Sequence, residues 1–127
     1  MAITTNAIIL QRPPSDSSEF SLSMYSADLS DAESLLAAKT GSCHFVQKIT
    51  IFCASAITIS IGSGETTPGT IDAIYLGPLP FTATSSQYVI DFGSKAMVIP
   101  KSTAFTIDSS GAGPTAILVE GRTGPAF

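Results

Sequence analysis

The sequence has few charged residues. Asp, Glu, Lys and Arg make up only 13% of the 127 residues, against about 25% in an average globular domain. The six cations stand singly, at Arg12, Lys39, Lys48, Lys95, Lys101 and Arg122, and the formal net charge is −4. Since neutralising phosphates requires a basic patch, we predict no nucleic-acid partner. A surface with few charges loses little on desolvation, which favours a component of an assembly.

Long apolar runs are also missing. No stretch approaches the roughly 20 apolar residues of a membrane span, so we predict no membrane partner. Residues 1–6 lack a basic start, and the apolar run over residues 7–10 is too short for a signal peptide. We therefore expect no secretory leader.

Tryptophan is absent, and histidine occurs once, as His44. One imidazole cannot form a His-cluster metal site, and we expect His44 to be exposed beside a buried Cys43. No Gly-x-Ser-x-Gly elbow and no phosphate loop is present. Isolated strand-end or outward positions explain the acidic residues that could suggest a glycosidase, Asp72, Asp91, Asp108 and Glu120. We predict a non-enzymatic protein with no catalytic, cofactor-binding or metal-binding residues.

The two cysteines, Cys43 and Cys53, lie at the ends of one predicted strand. Ten residues of strand would separate them by about 33 Å, whereas a disulfide needs Cα atoms within about 7 Å. Free thiols follow, which fits a protein made in a reducing cytoplasm. The alternative is that a turn breaks the strand and lets them pair.

From about residue 34 onward, short β-branched segments alternate with Gly, Pro and Ser. In residues 44–54, Phe45, Ile49, Ile51 and Cys53 are predicted to face one side, and His44, Lys48 and Thr50 the other. Further strands are predicted at residues 57–61, 71–76, 87–92, 96–99, 103–107 and 115–120. Seven or eight such strands indicate an all-β sandwich or barrel, most simply two packed sheets in one domain over residues 33–127.

Residues 1–32 contain a Pro- and Ser-rich stretch at positions 12–19, and we interpret them as an extended N-terminal arm. Its apolar residues Ile8, Ile9, Leu10 and Phe20 are candidate contacts with a neighbouring molecule. They could equally lie in a disordered tail or fold back on their own sandwich. Residues 28–38 are compatible with one short helix, and residues 34–39 with an edge strand.

Three parts of the chain resemble the small β-sandwich decoration (cement) proteins of tailed-phage capsids. These are the strand pair over residues 45–61 with its Gly-Ser-Gly turn at 62–64, the segment Ile74-Tyr75-Leu76, and the closing apolar strand with its charged tail at 115–123. The resemblance implies a jelly-roll-like homotrimer on the outer capsid surface of the virion, synthesised in the host cytoplasm. Its partner would be the major capsid protein.

The main alternative is a receptor- or glycan-binding module, such as a tail-fibre tip or a lectin-like domain. The loops that could carry its specificity are residues 62–70, 76–86 and 109–114. In this alternative Tyr75 and Tyr88 are the expected ligand contacts.

Overall fold

Ten β-strands form the regular structure of the chain in the computed structural model, which describes residues 8–84 and 86–125. They are β1 (Leu10–Gln11), β2 (Ser18–Asp28), β3 (Glu33–Leu36), β4 (Ser42–Cys53), β5 (Thr58–Ser63), β6 (Ala73–Pro80), β7 (Ser86–Asp91), β8 (Ala96–Ile99), β9 (Phe105–Ser109) and β10 (Ala112–Pro125). The described residues contain no helix. The predicted all-β class is confirmed.

The strands form two antiparallel sheets. The larger sheet has the order β1-β8-β4-β10-β2, and β7 lies beside β8 along the same edge of β4. The smaller sheet has the order β3-β9-β5-β6. Their inner faces share one hydrophobic core, so the chain is a β-sandwich. The jelly-roll connectivity implied by the resemblance stays a prediction.

The core is built by side chains that alternate along the strands. One row of neighbours crosses the larger sheet through Leu22, Val119, Ile49 and Ile90. The facing side chains of the smaller sheet are Ile59, Ile61, Phe105 and Ile107, all fully buried. Each such side chain stabilises the fold by about 1.5–3 kcal/mol relative to its exposed state.

Strand β2 lies inside the predicted arm of residues 1–32, yet it pairs with β10 from Ser18 to Asp28. Residues 18–28 are therefore part of the larger sheet and not of a separate arm that ends at residue 32. The reason is an alternation of Phe20, Leu22 and Met24 with exposed serines, which the Ser-rich composition masks. Residues 1–7 of the predicted arm lie outside the described residues. Of the two possibilities near residues 28–38, the edge strand is the one observed, as β3.

A β-bulge interrupts the regular alternation of β4. Glu120 pairs with Lys48, but the next residue, Gly121, pairs with Val46, so Gln47 is an extra residue in β4. A bulge of one residue reverses which side of the sheet the following side chains face. His44 and Val46 consequently lie on the inner side, and Phe45 on the outer side. The predicted grouping of Phe45 with Ile49, Ile51 and Cys53, and of His44 with Lys48 and Thr50, is therefore wrong at Phe45 and His44.

Despite this bulge, β4 runs without a turn from Ser42 to Cys53. Cys43 and Cys53 are both free and buried. The prediction of two free thiols is confirmed, and the alternative with a turn and a disulfide is not.

The bulge leads to a prediction at Gly121. A Cβ at this position would lie 2.1 Å from the backbone oxygen of Phe45, whereas at Gly111 it would meet only the Ile57 side chain at 3.5 Å. We expect Gly121→Ala to lower the free energy of unfolding by about 1–3 kcal/mol, because the backbone of β4 must shift. Gly111→Ala, the matched control, should change it by less than about 1 kcal/mol. Urea unfolding of both variants tests this, and equal effects would refute the proposed close approach.

Candidate functional site

The outer face of the larger sheet exposes apolar side chains around the C-terminal half of β4. Two rows of neighbours cross β2, β10, β4 and β7 here: Tyr25, Ala116, Phe52 and Gln87, then Ser23, Leu118, Thr50 and Val89. Four of these are large apolar side chains with high exposure: Tyr25 70%, Val89 53%, Leu118 44% and Phe52 41%. We call Tyr25, Phe52, Val89, Ala116 and Leu118 the open patch.

The third row is polar and bounds the open patch. It runs through Ser21, Glu120, Lys48 and Asp91 in the same strand order. The lysine lies between two carboxylates, so opposite charges face each other across neighbouring strands, a stabilising arrangement in a sheet. An apolar area with a charged rim is the usual anatomy of a protein interface.

Beyond the polar row, the outer face is covered. Cys43, Phe45 and Ala96 are buried there and pack together, with Val98 beside them. The chain between β1 and β2 crosses this end of the sheet, where Pro14 and Ser17 lie next to Gly124, the neighbour of Cys43.

Arg122 holds this crossing segment in place. It donates one hydrogen bond to the Ser17 carbonyl at 3.3 Å and another to the Glu19 carboxylate at 2.6 Å. Within residues 8–84 and 86–125, the protein's own chain therefore covers the end of the outer face around Phe45 and leaves the end around Phe52 open.

The four predicted contact residues of the arm separate into two pairs. Ile8 and Phe20 are half-buried and pack against the protein's own core. Ile9 and Leu10 are 62% and 45% exposed at the β1 edge, where the Ile9 carbonyl accepts a hydrogen bond from Val98. Contact of these residues with a neighbour stays a prediction.

The tyrosines expected to contact a ligand are engaged within the protein. The Tyr75 hydroxyl accepts a hydrogen bond from Ser63 at 2.9 Å, and the Tyr88 hydroxyl donates one to the Pro80 carbonyl at 2.7 Å. Thr66, in the loop of residues 62–70, donates hydrogen bonds from its backbone N–H and its hydroxyl to the Asp72 carboxylate. Of the chain's three tyrosines, Tyr25 on the open patch is the most exposed.

His44 is buried between the sheets, not exposed as predicted, because the bulge turns it inward. Its Nε2 lies 2.8 Å from the Ala37 carbonyl, which can only accept, so Nε2 carries the proton. Nδ1 then accepts a hydrogen bond from the Thr123 hydroxyl at 2.8 Å. Burial lowers the pKa of His44, and the nearby Lys39 lowers it further, against the raising effect of the hydrogen bond to Ala37. These contacts tie β4 to β10 and to the chain following β3.

Asp108 lies on β9 and is affected by the charges of two other acids, Asp31 and Glu65. Burial raises its pKa and so do the charges of Asp31 and Glu65, while a hydrogen bond from the Ser109 backbone lowers it. Its Oδ1 is buried, and among the described residues nothing hydrogen-bonds to it. In the described part of the chain, no three His, Cys, Asp or Glu side chains are grouped as metal ligands. Nor do those residues include a helix that is long and apolar enough to cross a membrane.

No protein-family model and no curated protein matches the chain. The open patch therefore stands on geometry alone. Sequence reasoning missed it, although a signal exists: Ile51-Phe52-Cys53, Val89-Ile90 and Ile117-Leu118-Val119 place apolar residues on both faces of a strand. Such runs indicate a sheet covered on both sides.

The buried histidine predicts a specific pH dependence. Because the pKa of His44 is lowered in the folded state, the unfolded chain binds the proton first as the pH falls through 6.5. Stability should therefore be full well above this value and fall as the pH drops below about 6.5, by at most about 1.4 kcal/mol per pH unit. In His44→Gln, whose amide can replace both hydrogen bonds, the slope should be shallower. Urea unfolding at stepped pH tests this, and identical slopes would show that His44 does not titrate as described.

Asp108 predicts a dependence of opposite sign. Its raised pKa means that ionisation costs stability once the pH rises above the ordinary carboxyl value of 3.8. We expect Asp108→Asn to raise the free energy of unfolding by about 0.5–1 kcal/mol at pH 7, since the group is still partly hydrated. The gain should shrink below pH 4. Asp16→Asn in an exposed turn is the control, and a gain equal to that of Asp108→Asn would contradict the assignment.

Proposed function

We propose that this chain is a non-enzymatic structural protein of a virion, a capsid decoration protein that binds the assembled shell through the open patch. The observation that carries the proposal is the exposure of four large apolar side chains on one face of the larger sheet. A contiguous apolar area with a polar rim is typical of an interaction site. The resemblance supplies the kind of partner, the major capsid protein.

The position of the open patch suits a docking surface. Phe52, Leu118 and Ala116 lie on β4 and β10, two neighbouring inner strands of the larger sheet, whose other face carries the buried Ile49, Ile51 and Val119. Side chains on such a support are already ordered before binding, so little conformational entropy is lost on contact. No charged side chain lies within the patch, so no ion has to be desolvated there.

Assembled shells are the partner expected, because a decoration protein contacts several capsid subunits at once. Weak contacts on neighbouring subunits add up only when the shell holds those subunits in fixed positions. The same contacts made to a single free subunit are too few to give stable binding.

Leu118→Asp tests the proposal. We expect the wild-type chain to sediment with assembled capsid shells of the virus that encodes it, and to stay in solution with unassembled capsid subunits. Losing one buried leucine costs about 1.5–3 kcal/mol, so the variant should bind at least about tenfold more weakly. Ser94→Asp, which adds the same charge in an exposed turn, should bind like the wild type. Absence of wild-type binding, or equal binding by Leu118→Asp, would overturn the proposal.

A glycan-binding function is the second candidate, and one observation favours it. Tyr25 and Phe52 flank the small Ala116 in one row, leaving a shallow groove between two exposed aromatic rings. Aromatic faces of this kind can stack on sugar rings. A glycan array separates the two functions: defined glycan binding that disappears in Tyr25→Ala would favour this candidate.

A further inference from the structure

The outer edge of β2 is open and long. Among the described residues, β2 lies at the end of the larger sheet and pairs only with β10, so one edge of the strand Ser18–Asp28 presents backbone N–H and C=O groups that no described strand pairs. From Ser18 to Ser26 its pairing with β10 has no register shift. A long, regular and unprotected edge is a template for pairing with another strand.

The other open edges of the sandwich are protected or short. β6 contains Pro78 and Pro80, and its register with β5 shifts twice. β3 has four residues and one register shift, β7 has six residues, and β1 has two. Prolines, bulges and shortness are the usual means by which proteins prevent edge pairing. β2 has eleven residues and no proline, and its one register shift with β10, between Ala112 and Thr115, lies at its Asp28 end.

The charge and apolar pattern of β2 also favours pairing. No residue between Phe20 and Ala27 is charged, and Glu19 is already paired with Arg122. Phe20, Leu22 and Met24, on the inner side of the strand, are only half-buried at the sandwich margin. Leu35 and Leu36 of β3 are half-buried as well, and Leu35 lines a small cleft together with Met24. The side of the molecule formed by β2 and β3 therefore has an incompletely covered core.

We propose that the edge of β2 binds β2 of a second copy of this chain, antiparallel, about a two-fold axis perpendicular to the larger sheet and centred on Ser23. This register pairs all eleven residues of the strand. It places Leu22 beside Met24 of the partner subunit, so that half-buried apolar side chains meet. In a parallel arrangement the sheet of the second copy would be turned over. The inner side chains of the two copies would then lie on opposite faces of the joined sheet and could not meet.

A second copy fits this edge better than any other strand of the protein does. The β7 edge would satisfy at most six of the eleven residues, and β6 would present prolines that cannot donate a hydrogen bond. An identical strand matches in length and, in the antiparallel direction, is self-complementary. The resulting dimer closes, which is the usual outcome of a two-fold contact, and it stands in place of the homotrimer that the resemblance implies.

The first test is the mass in solution and the position of a cross-link. Light scattering coupled to size-exclusion chromatography should give twice the chain mass of 13.1 kDa. On mild oxidation, Ser23→Cys should form a disulfide-linked dimer, because Ser23 faces Ser23 of the partner subunit. Ser21→Cys, the matched control, should not, since its two copies are four residues out of register, about 13 Å apart. The native cysteines are buried, and burial raises the pKa of Cys43, so they should not compete.

The second test is a charge on the edge. Ser23 is exposed, so Ser23→Lys should still unfold cooperatively in urea, and it should give a chain of monomer mass because two lysines would meet at the axis. Ser94→Lys, the same change in an exposed turn, should stay dimeric. A wild-type monomer, equal cross-linking by Ser21→Cys, or a dimer in Ser23→Lys would each overturn the proposal. A trimer would overturn it as well. None of these outcomes decides whether the open patch binds shells, which the sedimentation experiment tests separately.

Discussion

One extra residue in β4, Gln47, determines which side chains form the core and which form the surface. The residues on either side of Gln47 keep their strand geometry. Those before it, however, face the opposite side of the sheet from the one that regular alternation would give them. Ahead of it, His44 and Val46 point inward, while Phe45 joins Cys43 on the outer side. The partner strand adapts with a glycine, because any side chain at Gly121 would collide with the Phe45 carbonyl. The Phe92 backbone N–H donates a hydrogen bond to the Gln47 carbonyl, at the point where β7 ends and the chain leaves the sheet before β8.

This bulge also explains the division of the outer face. With Phe45 turned outward, the sheet has an apolar surface at that end that must be covered, and the segment between β1 and β2 crosses it. The cost of exposing a phenylalanine ring thus accounts for the route of the N-terminal chain. At the other end no segment of the described chain passes over Phe52 and Leu118. The difference is the route of residues 12–17, which turn at Pro14–Ser17 and connect β1 to β2, about 20 Å apart, only at the Phe45 end.

Most of the fold was predictable because it depends on period-two alternation, and the rest depends on exceptions to it. Strands β4 to β10 follow β-branched runs ended by Gly, Pro or Ser, which the sequence displays directly. β2 does not, since serine at every second position resembles a linker until its partner β10 is known. The inward His44 was beyond prediction, because nothing local in the sequence marks Gln47 as the extra residue. The open patch was hidden for a related reason: an apolar residue such as Phe52 in a core strand gives no sign of whether another element covers its face.

The two proposed surfaces are geometrically related. Tyr25 lies on β2, so the open patch begins at the strand whose other edge is free. A two-fold axis perpendicular to the larger sheet keeps the outer faces of both copies on the same side. The two open patches would then form one continuous flat surface, with each Tyr25 close to the axis. Such a surface offers two footprints to a partner with repeated subunits, and the second contact forms at a high effective concentration once the first is made. The gain in affinity from a second weak patch arises only when the partner is a regular array of binding sites. The β2 edge and the open patch together therefore favour an ordered assembly as the partner over a single soluble ligand.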